Sequence, residues 1–381
     1  MKKNRIYISA ILSLMFLSAC EQGDMPVLSS ENYILFSAPE ITVETSSRST
    51  FVEGTLPDNS SFGVMGYCVP YMRSDEEGND DIPDWASGTA SWSAKRVNAH
   101  PDVFCQQEVT YDGTSCSYNY TGTNGESGLR KWYNSEDNPE AEQPDNYQYT
   151  FFAYYPYSNF TVTPADAATK GAPSLTFTMP FEGNDLSTTL NDEETPDAML
   201  AVEYNHRRTS GNVGFNFNHI MVGLGFAVNN YNYAADEVVT ITSISLSGHF
   251  TRSMTIDFGK DTNDPGFYSC SGTYAGTYQI FSGSQKIGPN ESVNPNKHLL
   301  LLSDASGGTY FGTDIKVNVT YSFKGGEEKT FSIGRPSDFM PRAGTKYTAQ
   351  LNFVGETFVL NFIAAEDEFW EDGGDSDITI Q

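Results

Sequence analysis

The apolar positions of this chain recur at every second residue, and the pattern is clearest in Val213–Val228, VGFNFNHIMVGLGFAV. Val213, Phe215 and Phe217 form one row. After His219 the phase slips by one, and Ile220, Val222, Leu224, Phe226 and Val228 take over. A period of two is a β-strand with one buried face. A one-residue slip inverts which side chains meet the core, so the strand must bulge, bend or break near His219. A strand that changes faces halfway suits two packed β-layers.

The same reading predicts strands elsewhere. Tyr33–Val43 alternates briefly, with Ile34 and Phe36, then Ile41 and Val43. Phe62–Val69 (FGVMGYCV) and Tyr147–Tyr155 (YQYTFFAYY) read as buried strands, with Leu175–Phe181 and Ala198–Tyr204 to follow. Asp112-Gly113 is a hairpin signal. A two-residue turn centred there sets Tyr111 against Thr114, Val109 against Cys116 and Cys105 against Tyr120. Leu129–Asn146 is charged and polar and reads as a loop.

His206–Asn212 (HRRTSGN) is polar and unpatterned, and it places the seam between two domains, 32–208 and 209–381. Beyond the opening strand of the second half come Val238–Leu246, Ser253–Phe258, Tyr278–Phe281 and His298–Leu302. Ile315–Phe323, Thr330–Ile333, Tyr347–Val354 and Phe358–Ile363 complete the set. The expectation is an all-β fold of two β-sandwiches in series.

Met1–Ala19 has a basic start (Lys2, Lys3, Arg5) and an apolar run, Ile6–Phe16, too short for a spanning helix of about 20 residues. It reads as a secretory signal peptide. Leu17-Ser18-Ala19-Cys20 matches the lipobox of bacterial lipoproteins, in which the cysteine is acylated and becomes the first mature residue. Residues 20–31 then form a lipid-anchored tether.

Gly 33, Pro 18, Tyr 22 and Phe 25 fit many strands with many turns, which supports the pattern reading. A formal net charge of −27 repels phosphate backbones, so nucleic acid is excluded as a partner. The five histidines (His100, His206, His219, His249, His298) lack metal-ligand spacing, so no metal and no cofactor is expected. His219, at the slip, reads as a structural residue. Gly223-Leu224-Gly225 has Val228 where a dinucleotide loop needs its third glycine. No nucleophile elbow or phosphate loop is present, and Glu366, Asp367 and Glu368 read as a coincidence of an acidic chain, so no catalytic residue and no enzyme are expected. Asp75–Asp81 (DEEGNDD) reads as a solvated loop, because the alternating spacing of a calcium loop is absent. Cys68, Cys105, Cys116 and Cys270 are an even set without Cys-x-x-Cys spacing, open to disulfides or buried thiols. Trp85, Trp92 and Trp132 offer either stacking platforms for sugars or local packing.

Several motifs together carry a resemblance. They are Phe215-x-Phe217-x-His219 with its alternating run, Phe152-Ala153-Tyr154-Tyr155-Pro156, and Pro196-Asp197-Ala198-Met199-Leu200. Pro341-Arg342-Ala343-Gly344-Thr345-Lys346-Tyr347, and Phe369-Trp370 before Glu371-Asp372-Gly373-Gly374, complete the series. In this order the chain resembles the fimbrillins, the type V pilins of anaerobic Gram-negative bacteria. The resemblance implies transthyretin-like sandwiches and a structural or adhesive pilus subunit, at the outer membrane and in the surface fimbrium, with other pilin subunits as partners. It also implies that an Arg-specific protease removes the first strand and that a neighbour's C-terminal strand replaces it. Arg48 is the first Arg or Lys after Cys20 and lies in a polar Ser/Thr loop, so the cut is expected there. Ile378 and Ile380 would be the donor positions, on so short a piece (Asp377–Gln381) that a tip or terminal subunit is favoured over a stalk. The alternative reading is a glycan-binding outer-membrane surface lipoprotein.

Overall fold

The computed structural model describes residues 32–41, 52, 54–70, 100–121, 127–132, 147–163, 171–260, 266–295, 297–303, 314–337 and 339–364. Cys20, Arg48, Trp85, Trp92, Trp370, Ile378 and Ile380 lie outside the described residues, as do the signal segment, Asp75–Asp81 and Glu366 to Glu368.

Among the described residues the fold is all-β, and helix is confined to three-residue 3-10 turns. The first half holds β1 (Glu40–Ile41), β2 (Ser60–Pro70), β3 (Phe104–Tyr111), β4 (Cys116–Ser117), β5 (Tyr120–Thr121), β6 (Ser127–Gly128) and β7 (Tyr147–Tyr155). Next come β8 (Phe160–Thr163), β9 (Ser174–Thr178), β10 (Asn184–Leu190), β11 (Met199–His206), β12 (Asn216–His219) and β13 (Val222–Asn230). Two long strands follow, β14 (Val239–Asp257) and β15 (Tyr268–Ile287). The chain then adds β16 (Ser292–Val293), β17 (Leu299–Leu301), β18 (Lys316–Phe323), β19 (Lys329–Gly334), β20 (Lys346–Val354) and β21 (Thr357–Ala364).

One sheet has the order β1-β12-β11-β7-β2-β3-β4. A second runs β10-β15-β14-β18-β19, with β9 added beside β14 and β8 beside β9. A third runs β16-β13-β20-β21, and β17 also pairs with β13.

Two apolar cores lie against these sheets. The first collects Phe62, Val64, Tyr149, Phe151, Val213, Phe215 and Phe217 beneath Ile34, Phe36 and Ile41. The second collects the β13, β14, β15, β18, β20 and β21 rows with Met65, Tyr67, Phe152 and Tyr154. The phase slip at His219 is therefore the passage of one segment between cores: β12 ends at His219 and β13 begins at Val222. Val213, Phe215 and Phe217 serve the first core and Val222, Leu224, Phe226 and Val228 the second.

β7 serves both cores, Tyr149, Phe151, Ala153 and Tyr155 on one side, Phe152 and Tyr154 on the other. Double burial explains why its sequence is a continuous apolar run rather than an alternation. Opposite β7, Gly63 of β2 leaves room for the Tyr154 ring, into which a Cβ would run.

The expected strands Val238–Leu246 and Ser253–Phe258 are one strand, β14, and the short strand expected at Tyr278–Phe281 is part of the 20-residue β15. The apparent gap in β14 holds Gly248, at φ 154°, where an added Cβ would lie 2.8 Å from the Ile315 backbone. The tip of the β14–β15 hairpin, beside β9 of its own sheet, reaches the first sheet, where the Phe258 ring packs tilted on Phe152 at 4.5 Å. His206–Asn212 connects β11 to β12, neighbours in one sheet, and β8, β9 and β10 join the second sheet although they precede it.

The hairpin at Asp112-Gly113 also differs from its expected register. Tyr111 pairs with Cys116, not Thr114, and Thr110 with Ser117. The Asp112 carboxylate accepts the backbone N–H of Thr114 (2.9 Å) and Ser115 (2.8 Å), which builds a four-residue loop. Such an Asx turn competes with the two-residue turn that Asp-Gly favours.

Candidate functional site

The first described segment, residues 33–41, lies across the first core and touches both margins of its sheet. On one side it runs parallel to β12, with Glu40 opposite Asn216 and Ile41 opposite Phe217. Ser37 N donates to Val213 O (2.9 Å), Val213 N to Leu35 O (2.8 Å) and Glu40 N to Phe215 O (2.9 Å). On the other side Ile34 N donates to Arg130 O (2.9 Å), and Tyr33 bridges Lys131. The Tyr118 hydroxyl donates to Ile34 O at 2.6 Å, and the Cys116 thiol to Ser37 O at 3.2 Å. Burial, with the Asp112 charge adding, pushes the Cys116 thiol up to about 12, which keeps it a protonated donor. The alternation read in the sequence sends Ile34 and Phe36 inward, and Ile41 joins them.

Phe36 sits among five rings, those of Phe62, Phe104, Tyr118, Phe151 and Phe215, at centroid separations of 5.4–6.4 Å. It stacks on Phe215 and meets Phe62, Tyr118 and Phe151 edge-on, both favourable ring geometries.

The end of this segment and the described residues from 52 onward are tied together. Ile41 N donates to Gly54 O (3.0 Å), Glu40 bridges Thr55, and Val52 N donates to Asp197 Oδ2 at 3.0 Å. The other oxygen of this carboxylate meets His219 Nδ1 at 2.9 Å, both side chains being buried. On the far side of His219, Gly344 (φ 73°) brings its backbone so close that a Cβ would lie 2.9 Å from His219 O. Gly344 N donates to Met221 O (3.0 Å), and Arg342 N to the Tyr347 hydroxyl (3.2 Å). This turn lets β20 run parallel to β13 from Gly223 opposite Lys346 onward. Motifs separate in sequence (Asp197, His219, Gly344 and Tyr347) thus form one junction between the cores. The sequence singled out His219 but gave Asp197 no role; its signal was an acid enclosed by Pro196 and Ala198 at the start of a buried strand.

Other residues singled out in the sequence lie away from this junction. Trp132 is buried and stacks on His206 (5.9 Å, 11°). His206 also meets Glu203 Oε1 and Gly211 O, each at 3.1 Å. His249 pairs with Asp314 at the surface. Cys68 and Cys270 are buried, Cys116 is half-buried and Cys105 is exposed. No group of three or more His, Cys, Asp or Glu side chains suited to a metal occurs among the described residues.

His298 packs against Gly225, and burial, with Lys346 nearby, pushes its imidazole down to about 4 from an ordinary 6.5. The unfolded chain takes up this proton first, so the contribution is full above about pH 6.5 and is lost as pH falls toward 4. The loss should be at most about 3 kcal/mol. Urea midpoints between pH 7 and 4 should show this slope, and His298→Gln should flatten it.

The family model described as fimbrillin-like matches residues 74–363. No curated relative matches the sequence. Among solved structures, a candidate cell adhesion protein from Bacteroides uniformis is similar at 15% identity and TM-score 0.43, covering 88% of this chain and 98% of its own. A fimbrial assembly protein from Parabacteroides distasonis is similar at 8% identity and TM-score 0.31, over 82% of this chain and 90% of its own. The tip fimbrial protein Mfa3 from Porphyromonas gingivalis, C-terminally truncated, is similar at 9% identity and TM-score 0.30, over 87% and 98%. With three quarters of its length matched by the family model, from just after β2 to the end of β21, the chain belongs to the fimbrillin-like family.

Proposed function

We propose that this protein is a structural or adhesive subunit of a cell-surface fimbrium, acylated at Cys20, cut after Arg48 and joined to its neighbours by strand exchange. The family supports the subunit role. The observation that carries strand exchange is the seating of residues 33–41. Ile34, Phe36 and Ile41 are buried in the first core, yet the segment is held by backbone bonds that any extended chain reproduces. Removing it would bare an apolar trench and the unpaired margin of β12, a state that favours strand addition. The Asp197 carboxylate holds Val52 downstream of Arg48, so the body of the protein stays anchored when residues before the cut leave. In this scheme Ile378 and Ile380 would be the donor positions of this chain, and its place would be at a tip or terminus.

Trypsin treatment of the purified precursor, followed by mass spectrometry and electron microscopy, tests the scheme. Release of a fragment ending at Arg48, with oligomers appearing afterwards, is expected. Cleavage elsewhere with Arg48 intact refutes maturation there.

A further inference from the structure

We infer that the strand this groove accepts comes from a different polypeptide, one that sets an aromatic side chain into the Phe36 pocket; this rests on the strand-exchange reading above. The groove has two kinds of contact. Backbone bonds along Val213, Phe215 and Arg130 accept any extended segment. The side-chain pockets are selective, as in other strand additions where alternate side chains set specificity. The Ile34 site is fully buried, and two residues on lies the pocket of five rings around Phe36, itself 6% exposed.

The occupant must therefore present apolar-x-aromatic, running parallel to β12 as residues 33–41 do. Residues 371–381 of this chain do not. With Ile378 in the Ile34 site, Ile380 falls into the ring pocket, and the stretch after Trp370 holds no aromatic residue. A branched aliphatic there leaves a void beside ring faces that lose their stacked and edge-on partner. Placing Phe369 or Trp370 in the pocket instead brings the Glu371-Asp372-Gly373-Gly374-Asp375 run into the length where Ser37–Ile41 now lies, and sets an acid near the buried Ile41 position. Burying an unpaired carboxylate there opposes the contact. Residues 369–381 of a second copy are thus a poor donor strand, and a partner with Phe or Tyr in its donor strand is a good one.

The test uses the full chain cut by trypsin and three labelled peptides. These are residues 32–42, the same peptide with Phe36→Ile, and residues 371–381. The native peptide should exchange into the groove, the Phe36→Ile peptide should bind ten- to a hundredfold more weakly, and the tail peptide more weakly still. Equal binding by tail and native peptides overturns this inference alone. Failure of every peptide, with the cut protein still folded by circular dichroism, overturns the strand-exchange reading and this inference with it. The uncut chain gives a second measurement that needs no strand release. There Phe36→Ile should lower the urea midpoint, and an unchanged midpoint overturns the aromatic requirement.

Discussion

Phe36→Ala lowers stability by about 3–5 kcal/mol, the usual cost of emptying a buried aromatic site. The ring is the only large side chain that residues 33–41 place among Phe62, Phe104, Tyr118, Phe151 and Phe215, so no neighbour on the same segment can fill the space. The backbone bonds to Val213, Phe215 and Arg130 fix the segment's path and limit collapse around the void. Urea unfolding followed by tyrosine and tryptophan fluorescence measures the loss. Glu40→Ala, on the same segment but exposed, is the control and should stay within about 0.5 kcal/mol. A Phe36→Ala effect below about 1 kcal/mol would mean that the first segment is not part of the core.

The second large effect is expected at Asp197. Asp197→Ala removes the acceptor for both His219 Nδ1 and Val52 N, inside a site closed to water. Losing one partner of a buried pair costs about 3–5 kcal/mol, because the other polar group stays behind without compensation. Asp197→Asn retains a carbonyl oxygen for one of the two donors and should cost less. Melting temperatures rank the variants, and amide exchange at Val52 localises the effect. In Asp197→Ala the Val52 amide should lose its protection while amides in β14 and β15 keep theirs below the global unfolding limit. Retained protection at Val52 would show that the carboxylate does not hold this point of the chain.

What the sequence made legible was set by burial. β7, β20 and β21 carry apolar residues at most positions or in strict alternation, and their bounds follow the pattern closely. The slip at His219 was readable because each half of Val213–Val228 serves one core only. β10 was missed because it buries only Leu190 of its seven residues, so no period appears. β14 was read as two strands because Gly248 interrupts the apolar row for a reason that lies elsewhere in the chain, the approach of Ile315 just before β18. The same limit hid Asp197. Its partners, His219 and Val52, are distant in sequence, and a carboxylate in an acidic chain carries no mark of being buried.

The double burial of β7 also governs the order in which the molecule can be completed. Once synthesis or export has delivered the chain through β12, the face of β7 bearing Tyr149 and Phe151 has its covering residues. On the opposite face Tyr154 already has Tyr157 and Phe160 against it, while Phe152, edge-on to Tyr204, still waits for the tip of β14 and its Phe258. In that interval the chain displays part of an apolar, aromatic sheet face, a situation in which partly folded chains aggregate. Fast delivery of the long β14–β15 hairpin shortens that interval. A fragment ending at residue 208 would lack the Phe258 cover permanently.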